Sequence, residues 1–200
     1  MPEPLVFFDV DTQIDFMRPT GKLAVLGAEQ IIPNLERLMV WARANHIPVI
    51  STADAHSPDD PEFQKWPPHC VVGTPGQRRI PETEFPAPIV IARTRDAFES
   101  PRLWQGQFIV EKAAYSPEDN PNFESILRAL RPRRAIVFGV VTEYCVHATA
   151  LALRRHAFPV DLVVDAIKSI TEEGGRSALD EMTVAGVRLV STHEVCSSPS

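Results

Sequence analysis

The stretch Ala135-Ile-Val-Phe-Gly139-Val-Val-Thr142-Glu-Tyr-Cys145-Val-His-Ala-Thr-Ala-Leu-Ala-Leu153 begins as an unbroken apolar run and continues in a pattern of helical period. A short apolar run with no polar alternation is the mark of a strand buried on both faces, as in parallel sheets. Thr142 is the expected N-cap of the helix that follows, over about residues 143–156. The same alternation repeats on either side. Residues 5–10, 48–52, 108–110, 160–164 and 188–191 read as further strands. Residues 30–45, 123–130 and 176–185 carry apolar side chains at helical spacing, as in Ile31, Leu35, Leu38 and Trp41. Strand and helix in alternation predict a single-domain α/β fold over residues 1–200, with a doubly wound, mostly parallel six-stranded sheet and helices on both faces. Residues of about 57–106 break the rhythm with prolines at 58, 61, 67, 68, 75, 81, 86, 88 and 101. This region is expected to be a functional loop carrying a short strand at 89–91, with an insertion near 94–106.

Composition narrows the function. The chain has 200 residues, 44% of them apolar, enough for one substantial core. A net charge of −6, with no basic block, argues against a nucleic-acid partner. No apolar run approaches the roughly 18 residues of a membrane span, and the opening lacks a signal-peptide pattern, so a cytoplasmic protein without a membrane partner is expected. Cys70, Cys145 and Cys196 are widely spaced with no CxxC pair, which suggests neither a disulfide framework nor a zinc knuckle.

In an open parallel sheet, ligands bind beyond the carboxyl ends of the strands. Reading the strand ends in turn gives Asp11 after the first, Asp54 and His56 after the second, Lys112 after the 108–110 strand and Cys145 after the 135–140 strand. Four exits thus deliver reactive groups to one rim. Cys145 lies in the first turn of its helix, where helix-terminal amides and a nearby lysine would favour a thiolate; the plainer reading is a small buried apolar residue. Asp54 and His56 leave one face of an extended segment, and His69 follows in Trp66-Pro-Pro-His69-Cys70. Two imidazoles and a carboxylate suit a divalent transition metal with open positions, although a turn aspartate and two surface histidines would give the same letters. His46, His147, His156 and His193 read as structural or solvated, and Glu172 and Glu173 as a solvated helix start.

Assembled, these residues make the chain resemble the isochorismatase-like cysteine hydrolases, and within them the nicotinamidase (pyrazinamidase) branch. The resemblance rests on Asp11-Thr-Gln-Ile-Asp15-Phe16, on Ile109-Val-Glu-Lys112, on Gly139 through Cys145, and on Asp165-Ala after the fifth strand. For the branch, it rests on Asp54-Ala-His56 and on Trp66 through Gly76. It implies a catalytic triad of Asp11, Lys112 and Cys145, a cis peptide at Val140–Val141, and an oxyanion hole from the Val141 and Cys145 amides. It also implies a divalent metal on Asp54, His56 and His69, with zinc first and iron or manganese as alternatives. Phe16, Trp66 and Tyr115 are the candidate substrate contacts, the partner is a small-molecule amide, and a homo-oligomer is compatible with the family. The metal is expected to position the carboxamide rather than to activate the thiol.

Other readings compete. Another member of the same family would act on a carbamoyl, ureido or isochorismate-like substrate. A non-enzymatic small-molecule or regulatory module could use the same fold. Asp9-Val-Asp11-Thr is also similar to haloacid-dehalogenase-like phosphatases, but those need threonine where Gln13 stands. No GxGxxG follows the first strand, which disfavours a dinucleotide enzyme.

Overall fold

The computed structural model describes residues 5–94 and 104–197. Most of the expected 94–106 insertion lies outside them. Among the described residues, seven strands form one sheet: β1 (Leu5–Val10), β2 (Val49–Asp54), β3 (Ile89–Ile91), β4 (Gln107–Lys112), β5 (Arg134–Val140), β6 (Val160–Lys168) and β7 (Arg188–Val190). Their order is β3-β4-β2-β1-β5-β6-β7, and every pairing is parallel. The predicted six-stranded sheet is therefore one strand short. The short 89–91 run, expected within the proline-rich loop, pairs with β4 as an edge strand, its two outward residues Ile89 and Val90 exposed.

Helices cover both faces, as the alternation of elements predicts. They are α1 (Ile14–Met17), α2 (Ile32–Ala44), α3 (Phe123–Leu130), α4 (His147–Arg155), α5 (Glu172–Val184) and α6 (Thr192–Ser197). The sheet separates two apolar clusters. One gathers Phe8, Val10, Val110, Val137 and Leu162 under α3, α4 and α5; the other gathers Phe7, Phe138 and Val163 under α2. Alternate residues of each strand feed opposite clusters, which is why the strands read as continuous apolar runs.

Several boundaries move for physical reasons. β2 and β4 run on to Asp54 and Lys112, polar residues that a hydrophobic run cannot announce, and they pair with each other at their ends. α5 starts at Glu172 rather than 176, because Thr171 caps it by accepting the Gly174 amide. Asp165 lies within β6 rather than after it, and its carboxylate accepts the Thr192 amide and hydroxyl at 2.8 and 2.9 Å.

The chain leaves β1 for β2 on one side and returns through β5 on the other, so strand order reverses between β1 and β5. This is where an open α/β sheet leaves a crevice. β5 approaches β1 closely at its end: Gly139 has φ 118, and a Cβ there would sit 2.1 Å from the Val10 carbonyl oxygen.

Candidate active site

Beyond Gly139 the peptide Val140–Val141 is cis, as the resemblance implies. The chain then enters a π-helical turn, Thr142–Val146, before α4. The expected α-helical start with a Thr142 cap is thus corrected: Val141 holds the cap position and no side chain caps it. A π turn carries one extra residue per turn, and such turns recur at functional sites. Here it holds Cys145 at the pocket while α4 keeps its apolar face on the sheet.

Lys112, fully buried at the end of β4, is the hub. Its ammonium lies 2.7 Å from Asp11 Oδ2 and 3.5 Å from Cys145 Sγ, and it also pairs with Asp54 Oδ1. Asp11 follows β1 with φ 48, a left-handed conformation uncommon for a non-glycine residue, and accepts the Thr52 hydroxyl at 2.6 Å. The structure brings Asp11, Lys112 and Cys145 together as the sequence expects.

Their electrostatics differ from expectation. The Cys145 thiol is pushed well above its ordinary value, first by burial and then by the Asp11 and Asp54 carboxylates, against the pull of Lys112. Burial outweighs the pull of Lys112, an environment in which the thiol calls for a base. Burial also raises Asp11, opposed by Lys112, which suits a carboxylate that accepts a proton. Burial works against ionised Asp54, yet Lys112 and His56 hold its pKa below the usual value. Lys112 is raised by its acidic neighbours, which outweigh its own burial.

Asp54, His56 and His69 form the second cluster, with candidate ligand atoms within 4.8 Å of one another. His69 Nδ1 lies 2.8 Å from the Pro67 carbonyl, which can only accept, so Nδ1 donates that hydrogen bond, and Nε2 faces Asp54 Oδ2 at 3.9 Å. Both ring nitrogens of buried His56 lack a hydrogen bond. Its Nδ1 stands 3.1 Å from an Asp60 carboxylate oxygen without the alignment of one. Burial would lower the His56 pKa, but Asp54 and Asp60 raise it. Orphaned imidazole nitrogens in an acidic pocket fit a divalent cation, with Asp60 and the Pro67 carbonyl in supporting positions. Asp54 belongs to both clusters. The metal set and the thiol therefore share Lys112 as a charge partner.

The loop carrying His69 is tied down by Asp15, whose carboxylate accepts the Cys70 amide at 2.8 Å and the Lys22 amide at 2.9 Å. Gln13 clamps Asp54 by accepting its amide and donating to its carbonyl.

Phe16, Trp66, Tyr115, Val141, Cys145, Asp54 and His69 line one cleft. The Phe16 ring lies 5.4 Å from His69, and the Trp66 indole N–H donates to the Tyr115 hydroxyl at 3.1 Å. Several lining residues escaped the sequence, among them Tyr144 and Glu62. Tyr144 packs edge-on to Trp66 at 5.6 Å, and Glu62 stands beside the histidines with its pKa raised mainly by burial. The only signal for Glu62 was an acidic residue in the proline-rich loop.

Comparison with known proteins agrees with this geometry. An isochorismatase domain matches residues 5–194. The nicotinamidase/pyrazinamidase of Mycobacterium tuberculosis is 30% identical over 191 residues, covering 90% of this chain and 95% of that protein. The nicotinamidase of Acinetobacter baylyi is 28% identical, covering 93% and 92%. The crystal structure of the pyrazinamidase of Pyrococcus horikoshii in complex with zinc superposes with a TM-score of 0.78 at 31% identity, covering 94% of this chain and 99% of that one. With the match spanning nearly its whole length, the chain belongs to the isochorismatase family.

Proposed function

We propose that this hydrolase converts nicotinamide to nicotinate and ammonia through a thioester on Cys145. The observation that carries the proposal is the buried Lys112 ammonium, shared among Asp11, Cys145 and the metal-type carboxylate Asp54 at the wall of one cleft. The likeness to nicotinamidases along both chains supports the substrate.

Asp11 takes the proton of the Cys145 thiol as sulfur attacks the amide carbonyl, and Lys112 compensates the negative charge that this moves within the cluster. The Val141 and Cys145 amides receive the developing oxyanion. Asp11 then returns the proton to the departing ammonia, and water hydrolyses the thioester with Asp11 as base again. Phe16, Trp66 and Tyr115 bound a slot for a flat ring. Asp54, His56 and His69 would hold a divalent ion, zinc foremost, which supplies a Lewis acid for a ring nitrogen and so orients the carboxamide.

The test is direct. Purified protein is incubated with nicotinamide and a panel of carbamoyl, ureido and aliphatic amides, and ammonia is measured beside metal content. Nicotinamide should be the preferred substrate, with about one ion per chain. Preference for a carbamoyl substrate would replace the nicotinamidase reading by another activity of the same family.

A further inference from the structure

A second buried charge cluster lies beside the site and takes no part in the steps above. Asp9, two residues before Asp11 on β1, is fully buried and paired with Arg79, also buried, from the segment that follows the His69 loop. The Arg79 guanidinium also donates to the hydroxyls of Thr12 and Thr83 and, at 3.1 Å, to the Thr52 carbonyl. Thr52 is the link to the site. The same carbonyl accepts the Asp11 amide at 3.3 Å, and the Thr52 hydroxyl donates to Asp11 Oδ1 at 2.6 Å. The Arg79 segment is also laced to the exit of β1, with Ile14 N–H donating to the Arg78 carbonyl at 2.8 Å and Ile80 N–H to the Thr12 carbonyl at 3.0 Å.

Stability gives a poor account of this pair. A buried ion pair contributes little net stabilisation once desolvation is counted, and Arg79 Nε is buried without a partner. Its geometry accounts for it better. Asp11 sits at φ 48 and must be held there by its surroundings. We propose that the Asp9–Arg79 pair is a positioning device for the proton acceptor: the planar fork fixes Thr52, and Thr52 aims the Asp11 carboxylate at the Cys145 thiol. The inference rests on reading Asp11 as that acceptor. A lysine, being a single point cation, could not hold the carboxylate, both hydroxyls and the carbonyl together.

The experiment replaces the pair by apolar residues of similar size, Asp9→Val with Arg79→Met, because removing both charges from a buried pair commonly leaves a fold intact. The double variant should keep its thermal midpoint to within about 5 °C. Its kcat should fall roughly 10- to 100-fold while KM changes less than about twofold, since misplacing a proton acceptor slows the chemical step without loosening the substrate. Cys145 alkylation by iodoacetamide near neutral pH should slow in parallel. Thr52→Val, which removes only the hydroxyl, should lower kcat in the same way, and its effect should not add to that of the double variant. A folded double variant with wild-type kcat and alkylation rate overturns the proposal. If the double variant does not fold, an unchanged kcat and alkylation rate in Thr52→Val overturns it. Should wild-type protein release no ammonia from any amide, the functional reading fails instead, and alkylation still decides whether the pair positions Asp11.

Discussion

Replacing Lys112 by methionine removes the one cation from a buried set that contains Asp11, Asp54 and Cys145. At 3.5 Å from Sγ, and with an effective dielectric of about 20, an ammonium stabilises a thiolate by roughly 5 kcal/mol, or about 3.5 pK units. Part of this returns when a neighbouring carboxyl takes up a proton, so the alkylation profile of Cys145 should move up by about 1 to 3 pH units. The assay is the second-order rate with iodoacetamide from pH 6 to 11, read on the peptide that carries Cys145. Stability should respond as well, because two buried carboxylates lose their counter-charge, a loss of about 3–5 kcal/mol near neutral pH. The sign with pH follows from Asp11. Burial already raises its pKa, and losing Lys112 raises it further. A carboxyl whose folded pKa is raised binds more protons folded than unfolded, so stability falls as pH rises from the unfolded value towards the folded one. The variant should therefore lie nearer to wild type at pH 5 than at pH 8 in thermal midpoint. An alkylation profile that stays in place or moves to lower pH in a folded variant would refute Lys112 as the stabilising charge.

Cys145→Ala should lower turnover by several orders of magnitude while leaving the thermal midpoint and metal content unchanged, because in the proposed mechanism sulfur makes the covalent bond and is not among the proposed metal ligands; residual activity above about a tenth removes it from the mechanism. His56→Ala or His69→Ala should empty the metal set by elemental analysis and raise KM for nicotinamide. Because Asp54 also pairs with Lys112, loss of the cation should move Cys145 alkylation to higher pH; an unchanged profile would restore the independence of the two clusters. Tyr115→Phe takes the acceptor from the Trp66 indole, and KM should rise severalfold at nearly constant kcat.

The rim was legible because buried parallel strands print as apolar runs and the polar residues at their ends stand out: Asp11, Asp54, His56, Lys112 and Cys145 could all be found from position alone. What the sequence withheld depends on tertiary packing. The π turn at Thr142–Val146 uses residues that also suit an α-helix, so no local pattern marks the wider turn. Local neighbours predicted a depressed Cys145 pKa, whereas burial, which no window of residues reports, raises it. Arg79 is remote in sequence from Asp9 and Thr52, the residues it contacts. β3 is only three residues long, and it could be identified as part of the sheet only once β4 was in place beside it.

The central claim, covalent catalysis by Cys145, is tested most directly by mixing wild-type protein with nicotinamide, quenching in acid within milliseconds and mapping the digested chain by mass spectrometry. The account predicts a nicotinoyl group on the Cys145 peptide, formed before steady-state ammonia release and absent from Cys145→Ala. Steady release of ammonia with no acyl group on that peptide, and with turnover retained in Cys145→Ala, would contradict it.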